Sequence, residues 1–260
     1  LAASDRSDIF RYGMLLPLDT EGRKPVIPVG NTPLHRAGRL GEKIGMHDLW
    51  VKDDGRMPTA SFKDRASTVA VARAHELGIS LVCAASTGNA AASLAGLTAP
   101  EGIKSIIFVP HTAPKAKIAQ LLTFGATVYT VQGTYDDAFA LSMEASKKFG
   151  WYSRSTAVNP ILSEGKKSGA LELLEQFGFD APPETVLVSV GDGCIIGGLA
   201  KVLLELYEMG IIPSLPRIIG VQSTGSKVIH DVFHSGSEVM VPEPPTTRAD
   251  SISVAWPRDW

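Results

Sequence analysis

The chain has 260 residues, of which 44% are hydrophobic and 20% are charged, a balance typical of folded globular proteins and unlike that of disordered ones. Its formal net charge of −2 leaves no excess of positive charge for binding nucleic acid or an anionic membrane. No apolar run is long enough to span a bilayer, and Cys83 and Cys194 lack the spacing of a zinc site or a disulfide framework, so we expect a cytoplasmic location.

Turn-forming residues dominate the first fifty positions, and a regular alternation of strand and helix patterns follows them. Nearly all-apolar runs, typical of strands buried on both faces of a parallel sheet, lie at residues 80–86, 105–110 and 127–133. Helical spacing of apolar residues is found at residues 61–78, 89–97, 116–125 and 135–150. This repeated βα unit predicts an open sheet with helices on both faces.

A second series repeats the alternation, with helical patterns at residues 163–178 and 195–210 and strand patterns at residues 185–191 and 217–222. The expected fold class is therefore α/β, with two open, twisted, mostly parallel sheets whose ligands bind beyond the carboxyl ends of the strands. After Gln222 the pattern weakens, and no final helix or strand closes the second sheet. We expect the chain to be incomplete at its C-terminus.

Lys63 lies in the stretch DGRMPTASFKDRAS, at the predicted start of a helix. Ser61 is the predicted N-cap, and Asp64, three residues later, is the predicted carboxylate of a capping box. A cation in the first turn meets the positive end of the helix dipole, which disfavours it. Taken by itself, Lys63 is best interpreted as a solvated surface residue, as most helical lysines are.

Two predicted strand-to-helix junctions are rich in glycine and small polar residues. The first contains Ser86, Thr87, Gly88 and Asn89. These residues lie beside the free N–H groups of a helix start. The junction is therefore either a binding site for an anion or carboxylate, or an ordinary capped turn. The second, VGDGCIIGG at residues 190–198, can cradle a phosphate with its backbone N–H groups. It also resembles a dehydrogenase fingerprint, but the next strand ends in Gln222 and not in the acidic residue that a nicotinamide cofactor needs.

His230 and His234 form an i, i+4 pair without the glutamate of a zinc-protease motif. We therefore predict a surface or packing role for this pair and no metal site.

Three motifs in this order, PTASFKDR (58–65), STGNAA (86–91) and VGDGCIIGG (190–198), resemble the threonine synthase family of pyridoxal-phosphate enzymes, of the tryptophan-synthase-like fold type II. Further similar stretches, which extend the resemblance over nearly the whole chain, are NTPL (31–34), FGATVYTVQGTYDDA (124–138), NPILSEGKK (159–167) and GVQ (220–222). The resemblance implies pyridoxal 5′-phosphate in a cleft between two domains. The small α/β domain would comprise residues 56–157, and the large domain residues 1–55 with 158–260.

The resemblance also implies a role for each motif. Lys63 would be the catalytic residue and would bind the cofactor covalently, Phe62 would pack near the cofactor ring, and Asn89 would hydrogen-bond the hydroxyl oxygen of that ring. The loop around the cofactor phosphate would consist of Gly191, Asp192, Gly193, Cys194 and Ile195. The residues that bind the substrate would be Ser86, Thr87, Gly88 and Thr156.

For a threonine synthase, the implied reaction converts O-phospho-L-homoserine and water to L-threonine and phosphate, with Lys63 moving protons at the α and β carbons. The alternatives are an enzyme of β-elimination or β-replacement on serine, O-phosphoserine or threonine, of deaminase or cysteate-synthase type, and a non-catalytic family member. A dehydrogenase is a distant third. The resemblance further implies a homodimer, a small amino-acid substrate that is phosphorylated, and a hydroxyl residue beyond Trp260 that faces the pyridine nitrogen.

Several residues depart from the family's pattern. Ala60 stands where the family usually has glycine, and the phosphate loop lacks the family's common asparagine. Thr156 and Leu162 replace an asparagine and an arginine that bind the substrate phosphate in typical members. Loss of such an arginine is not a conservative change. Lys166 or Lys167 could replace its charge, although adjacent helical lysines are more often a solvated face.

Overall fold

The computed structural model describes residues 5–257. The helices are α1 (Gly38–Ile44), α2 (Lys63–Glu76), α3 (Asn89–Thr98), α4 (Lys115–Thr123), α5 (Tyr135–Phe149), α6 (Ile161–Phe177), α7 (Cys194–Glu208) and α8 (Val228–Ser235). The strands are β1 (Leu34–Arg36), β2 (Trp50–Lys52), β3 (Leu81–Ala85), β4 (Lys104–Pro110), β5 (Thr127–Val131), β6 (Tyr152–Ser153), β7 (Thr185–Ser189) and β8 (Arg217–Val221). Within this described range, no helix is long and apolar enough to cross a bilayer.

Four parallel strands form the larger sheet, in the order β5-β4-β3-β6. In the middle of the sheet, Cys83 on β3 lies opposite Ile106 on β4 and opposite Ser153 on β6. The apolar runs that predicted β3, β4 and β5 are thus confirmed as strands of one sheet. The two-residue β6 is too short for its pattern to stand out in the sequence.

Both faces of this sheet are covered, because successive side chains point to opposite sides. Val82, Ala84, Ile107 and Val109 pack with residues of α2, α3 and α4 in one core cluster. On the other face, Cys83, Ile106 and Phe108 pack against Ala138 and Ala145 of α5. The parallel α/β architecture with helices on both faces is confirmed.

A second parallel sheet consists of β7 and β8, with α6 and α7 packed together beside it. The buried side chains of this second core are Leu171, Leu174, Val188, Leu199, Val202, Leu203 and Leu206. The turn-rich N-terminal region adds an antiparallel pair, β1 with β2, that the sequence patterns did not predict. Each of these two strands has three residues, which is too few for a period-2 pattern to be recognised.

Helices α2 and α6 cross at close range, and this crossing sets the position of Lys63. A Cβ atom on Gly165 of α6 would lie 2.6 Å from the carbonyl oxygen of Arg65 on α2. Glycine at this point therefore lets the two backbones touch. The crossing is reinforced by the fully buried Arg65, whose guanidinium donates to Glu172 on α6 and, at 2.8 Å, to Asp54.

The start of α2 differs from the predicted capping box. The Ser61 hydroxyl is buried without a hydrogen-bond partner among the described residues, and the capping position is Phe62, whose backbone is already helical. Asp64 accepts instead from the backbone N–H of Thr59 at 2.7 Å and from the Thr59 hydroxyl. Ser61 as N-cap is therefore wrong, because the chain enters the helix through a turn in which Ala60 has a φ of +59°.

Candidate functional site

A cavity of about 700 Å³ lies at the carboxyl ends of β3, β6 and β7, where open α/β sheets bind their ligands. Its wall also includes the first turn of α2, the start of α3 and residues 250–256. The volume is within the range of pockets that hold small molecules and cofactors. The two parallel sheets thus contribute to one site.

Most of the predicted site residues line this cavity: Lys63, Ser86, Thr87, Gly88, Asn89, Thr156, Gly191, Asp192, Gly193 and Ile195. Phe62 and Cys194 are not part of the lining. The edge of the Phe62 ring lies against Gly169, where a Cβ atom would be 2.8 Å from Cε2 of the ring. The structure therefore places Phe62 in the contact between α2 and α6, and its packing near a cofactor ring stays a prediction. Cys194 is the buried first residue of α7.

Lys63 is the first residue of α2, and its half-buried side chain reaches the cavity. Within the described chain its amino group makes no hydrogen bond or ion pair, which contrasts with most buried cations. Burial lowers the pKa of Lys63 below its usual value; the carboxylate of Asp192 opposes this shift and the guanidinium of Arg154 adds to it. A larger fraction of neutral amine is the consequence, and neutral amine is the form that acts as nucleophile or base.

The glycine-rich loop leads directly into α7. Gly193 occupies the capping position with a φ of +86°, a conformation that favours glycine. The side chain of Asp192 accepts from the backbone N–H of Cys194 at 3.2 Å. Burial works to raise the pKa of Asp192, but the charges of Lys166 and Lys63 outweigh it and keep the pKa below its usual value. The loop thus presents helix-start N–H groups together with an ionised carboxylate.

The junction after β3 has the geometry of a polar turn at a helix start. The backbone N–H of Gly88 donates to the Ser86 hydroxyl at 3.2 Å, and α3 begins at Asn89. The side-chain amide of Asn89 lies 3.5 Å from the hydroxyl of Ser251, in the segment that forms part of the cavity wall. Asn89 therefore lies at the wall of the cavity, and its contact with a ligand stays a prediction.

Arg154 is a cavity residue that the sequence analysis missed. It follows β6 directly, is 6% exposed, and donates to the Ser67 hydroxyl at 3.2 Å and to the carbonyl oxygen of Lys63 at 3.5 Å. Burial lowers the pKa of Arg154 to about 10, although the carboxylate of Asp192 works against the shift. The sequence carries no signal for it, because the two-residue strand that places Arg154 at the carboxyl ends of the parallel strands is too short to be recognised.

The interpretation of Lys166 and Lys167 as a solvated face is wrong, since both side chains are 3% exposed. Lys167 forms ion pairs with Glu164 at 2.9 Å and Glu205 at 2.7 Å. Lys166 instead donates to the Thr156 hydroxyl at 3.3 Å. Lys166 lies one helical turn from both Leu162 and Ala170, two buried residues, and this spacing is the signal that could have placed it inside.

Two remaining predictions concern Gln222 and the histidine pair. Gln222, directly after β8, connects the glycine-rich loop with α8. Its Nε2 lies 3.5 Å from the carbonyl oxygen of Gly191, and its Oε1 accepts from the backbone N–H of His230. The rings of His230 and His234 contact each other on α8, with centroids 4.3 Å apart and an interplanar angle of 49°. In the part of the chain that the structure describes, no cluster of three or more potential metal ligands is found.

Comparisons with known proteins show which family this chain resembles. The model of the family "Pyridoxal-phosphate dependent enzyme" matches residues 27–259. The chain is 37% identical over 251 residues to a threonine synthase of Methanocaldococcus jannaschii, and 39% identical over 252 residues to a threonine synthase of Methanosarcina acetivorans. Each alignment covers 96% of this chain, but only 62% and 61% of the respective relatives. The chain thus spans about three fifths of the length of these curated relatives.

A solved structure with a similar fold is the processed form of threonine deaminase isoform 2 from Solanum lycopersicum. It matches with a TM-score of 0.77 and 24% sequence identity, over 97% of this chain and 70% of that one. At this identity the similarity shows the fold alone.

Proposed function

This chain belongs to the family of pyridoxal-phosphate dependent enzymes, and we propose that its reaction is that of a threonine synthase, which converts O-phospho-L-homoserine and water to L-threonine and phosphate. The observation that carries the proposal is the convergence of Lys63, the polar turn before α3 and the glycine-rich loop before α7 on one cavity. These three elements come from distant parts of the chain.

The residues of the cavity fit such a cofactor. The Lys63 amino group is not engaged by any described residue, and Gly193 allows a close backbone approach at the start of a 15-residue helix. We propose that Lys63 binds the cofactor covalently, that the loop from Gly191 to Ile195 holds its phosphate, and that Asn89 hydrogen-bonds its hydroxyl oxygen. When bound, pyridoxal phosphate supplies an electron sink for the negative charge that develops on the substrate.

The protein's own contribution to the reaction is orientation and proton transfer. Lys63 would take a proton from the α carbon and then from the β carbon, which its lowered pKa permits because part of the amine is neutral. The polar turn from Ser86 to Gly88 would bind the substrate carboxylate beside the first turn of α3. The phosphate would leave from the γ carbon with the electron pair of its C–O bond, and water would add its hydroxyl at the β carbon and give its other proton to the phosphate. The two protons taken from the α and β carbons would return to the α and γ carbons.

The test is to supply the purified protein with pyridoxal phosphate, to record its visible absorption, and to assay threonine and phosphate formed from O-phospho-L-homoserine. Lys63→Ala is expected to abolish the absorption band of the lysine-bound cofactor and to reduce product formation by about 100-fold or more. The matched control, Lys147→Ala, removes an exposed lysine on α5 and should leave both readouts unchanged. Wild-type protein that shows the band but forms no threonine would sink the proposal.

One observation favours a second candidate. Leu162, which stands in place of the family's phosphate-binding arginine, is fully buried in a cluster with Ala66 and Ala70. Its apolar side chain supplies no charge for a substrate phosphate. A β-elimination or β-replacement enzyme acting on serine, O-phosphoserine or threonine is therefore the alternative, and product formation from those substrates alone would select it. The division into two domains, the homodimer and the cytoplasmic location stay predictions.

A further inference from the structure

Arg154 is a buried cation in the wall of the cavity, with an exposed fraction of 6%. Among residues 5–257 its guanidinium has hydrogen-bond partners but no carboxylate within ion-pair distance. By contrast, the buried Arg65 forms ion pairs with Asp54 at 2.8 Å and with Glu172 at 3.2 Å. Buried charges are ordinarily paired, because an unpaired charge away from water costs free energy. Arg154 therefore points to a role other than the stability of the fold.

The contacts of Arg154 hold it against the first turn of α2. Its backbone N–H donates to the carbonyl oxygen of Cys83, on β3, at 2.8 Å, which ties it to the larger sheet. Its Nε donates to the Ser67 hydroxyl at 3.2 Å, and a terminal guanidinium nitrogen lies 3.5 Å from the carbonyl oxygen of Lys63. Lys63 and Ser67 are four residues apart, which is about one helical turn. The guanidinium thus spans the turn of α2 from which the Lys63 side chain departs.

This placement brings two cations together at the positive end of a helix dipole. Protonation of Lys63 adds a second positive charge near the guanidinium, which the like charge and the dipole both disfavour. Burial lowers the pKa of Arg154 to about 10, so the guanidinium is still charged at neutral pH. A lysine gives up its proton more readily than an arginine. Burial and the charge of Arg154 accordingly both lower the pKa of Lys63.

Other titratable groups also act on these two cations. Those that face Lys63 or Arg154 from the surrounding elements are Asp192, Cys194, Lys166, Asp64 and Tyr135. The carboxylate of Asp192 favours the ammonium form of Lys63 and so opposes the effect of Arg154. Asp64 is engaged by two hydrogen bonds from Thr59. The protonation of Lys63 is therefore set by a balance of fixed charges in which Arg154 acts against Asp192.

We propose that Arg154 is a positioning residue for Lys63: its guanidinium fixes the first turn of α2, and its charge favours the neutral form of the Lys63 amine. The proposal rests on the proposed function, in which that amine binds the cofactor and moves protons. Neutral amine acts as nucleophile or base, so a fixed positive charge beside it increases the reactive fraction at neutral pH. This role requires no contact between Arg154 and the substrate.

The experiment measures the protonation of Lys63 in the full chain after hydroxylamine has removed any cofactor. Acetic anhydride reacts with neutral amines, and mass spectrometry of the peptide that contains Lys63 gives its labelling rate at each pH. Arg154→Gln removes the charge but keeps an amide that can donate to Ser67, whereas Arg154→Lys keeps a cationic group. We expect Arg154→Gln to move the midpoint of the rate profile to higher pH and to slow labelling at neutral pH by about threefold or more. Arg154→Lys should restore most of the wild-type rate.

Two further variants serve as controls. Arg39→Gln, at an exposed position on α1, is the matched control and should leave the rate profile unchanged. Asp192→Asn should move the midpoint to lower pH, because the carboxylate favours the ammonium form. A lower labelling rate in Arg154→Gln with an unchanged midpoint would overturn the proposal, since altered packing changes access to the amine and not its protonation. A wild-type rate profile in Arg154→Gln would overturn it as well.

A second arm follows the rate at which added pyridoxal phosphate gives the absorption band of the lysine-bound cofactor. Arg154→Gln should slow this rate by a factor similar to that for labelling, because both reactions need the neutral amine. If Arg154→Gln does not fold, Arg154→Met repeats the test. Failure of both variants to fold would overturn the proposal, because Arg154 would then serve the fold.

The outcomes for the proposed function are separate. A midpoint that depends on Arg154, in a protein that forms no threonine from O-phospho-L-homoserine, would retain the role of Arg154 and remove the proposed reaction. Threonine formation by a protein in which the midpoint is independent of Arg154 would do the reverse.

Discussion

Glu172 is the carboxylate whose loss should cost the protein most stability. Its side chain, fully buried on α6, accepts from the backbone N–H groups of Asn31 and Thr32, each at 2.7 Å. It also accepts from Lys52 and from the guanidinium of Arg65. One carboxylate thus joins the segment before β1, the end of β2 and the two helices that place Lys63.

The substitution Glu172→Gln keeps the shape of the side chain and removes its charge. Of its anionic partners among residues 5–257, the buried Arg65 would then keep Asp54 alone, and an amide N–H₂ group would face N–H donors. Breaking a buried ion pair in this way typically costs about 3–5 kcal/mol, because one charge is left uncompensated. We expect a decrease of that size in the free energy of unfolding.

Urea or guanidinium unfolding, followed by circular dichroism, measures this change from the midpoint and slope of the transition. Glu144→Gln, an exposed position on α5, is the matched control and should change stability by less than about 0.5 kcal/mol. A Glu172→Gln protein as stable as the control would refute the reasoning that this network holds the helices together.

Acid should remove the stabilisation that the ionised Glu172 side chain provides. Burial by itself raises the pKa of Glu172, but Arg65 and Lys52 outweigh it and lower the pKa from 4.5 to about 2. A group with a lowered folded-state pKa stabilises the fold above its unfolded-state pKa, and this stabilisation is lost as the pH falls toward the folded-state value. The stability difference between wild type and Glu172→Gln should therefore be constant above about pH 5 and narrow as the pH falls toward 2. A difference that is independent of pH would contradict the assignment.

Two backbone predictions follow from positions where residue size or conformation is constrained. Gly165→Ala should destabilise the protein by about 1–3 kcal/mol in the same denaturation assay, because the new Cβ atom would meet the backbone of Arg65. Its control is Gly197→Ala, where a new Cβ atom has nothing within 4 Å; this change should be neutral or stabilising by up to about 1 kcal/mol. Ala60→Gly should stabilise the protein by about 0.5–1 kcal/mol, because the left-handed conformation of Ala60 is strained for alanine and not for glycine. Equal stability of both glycine-to-alanine variants, or a loss of stability in Ala60→Gly, would contradict these readings of the backbone.

The strands and helices with strong periodicity were predicted close to their observed bounds, because the apolar pattern of a buried element is local. β3, β4, β5, β7 and β8 each fall within one or two residues of their predicted ends. The short strands β1, β2 and β6 escaped prediction, since two or three residues carry no recognisable period. Ser61 shows a different failure: a typical capping sequence was overridden by the turn at Ala60, and the N-cap position lies one residue later, at Phe62.

The sequence by itself determined the family and its cofactor chemistry, because the motifs around Lys63, Asn89 and Gly193 are short and continuous. Only the tertiary structure decided which charges share the cavity. Arg154 lines it from the end of a two-residue strand, and the buried Lys166 donates a hydrogen bond to Thr156, which lines it. Whether a lysine is solvated or buried depends on which face of its helix meets another helix, and that packing is a property of the folded chain.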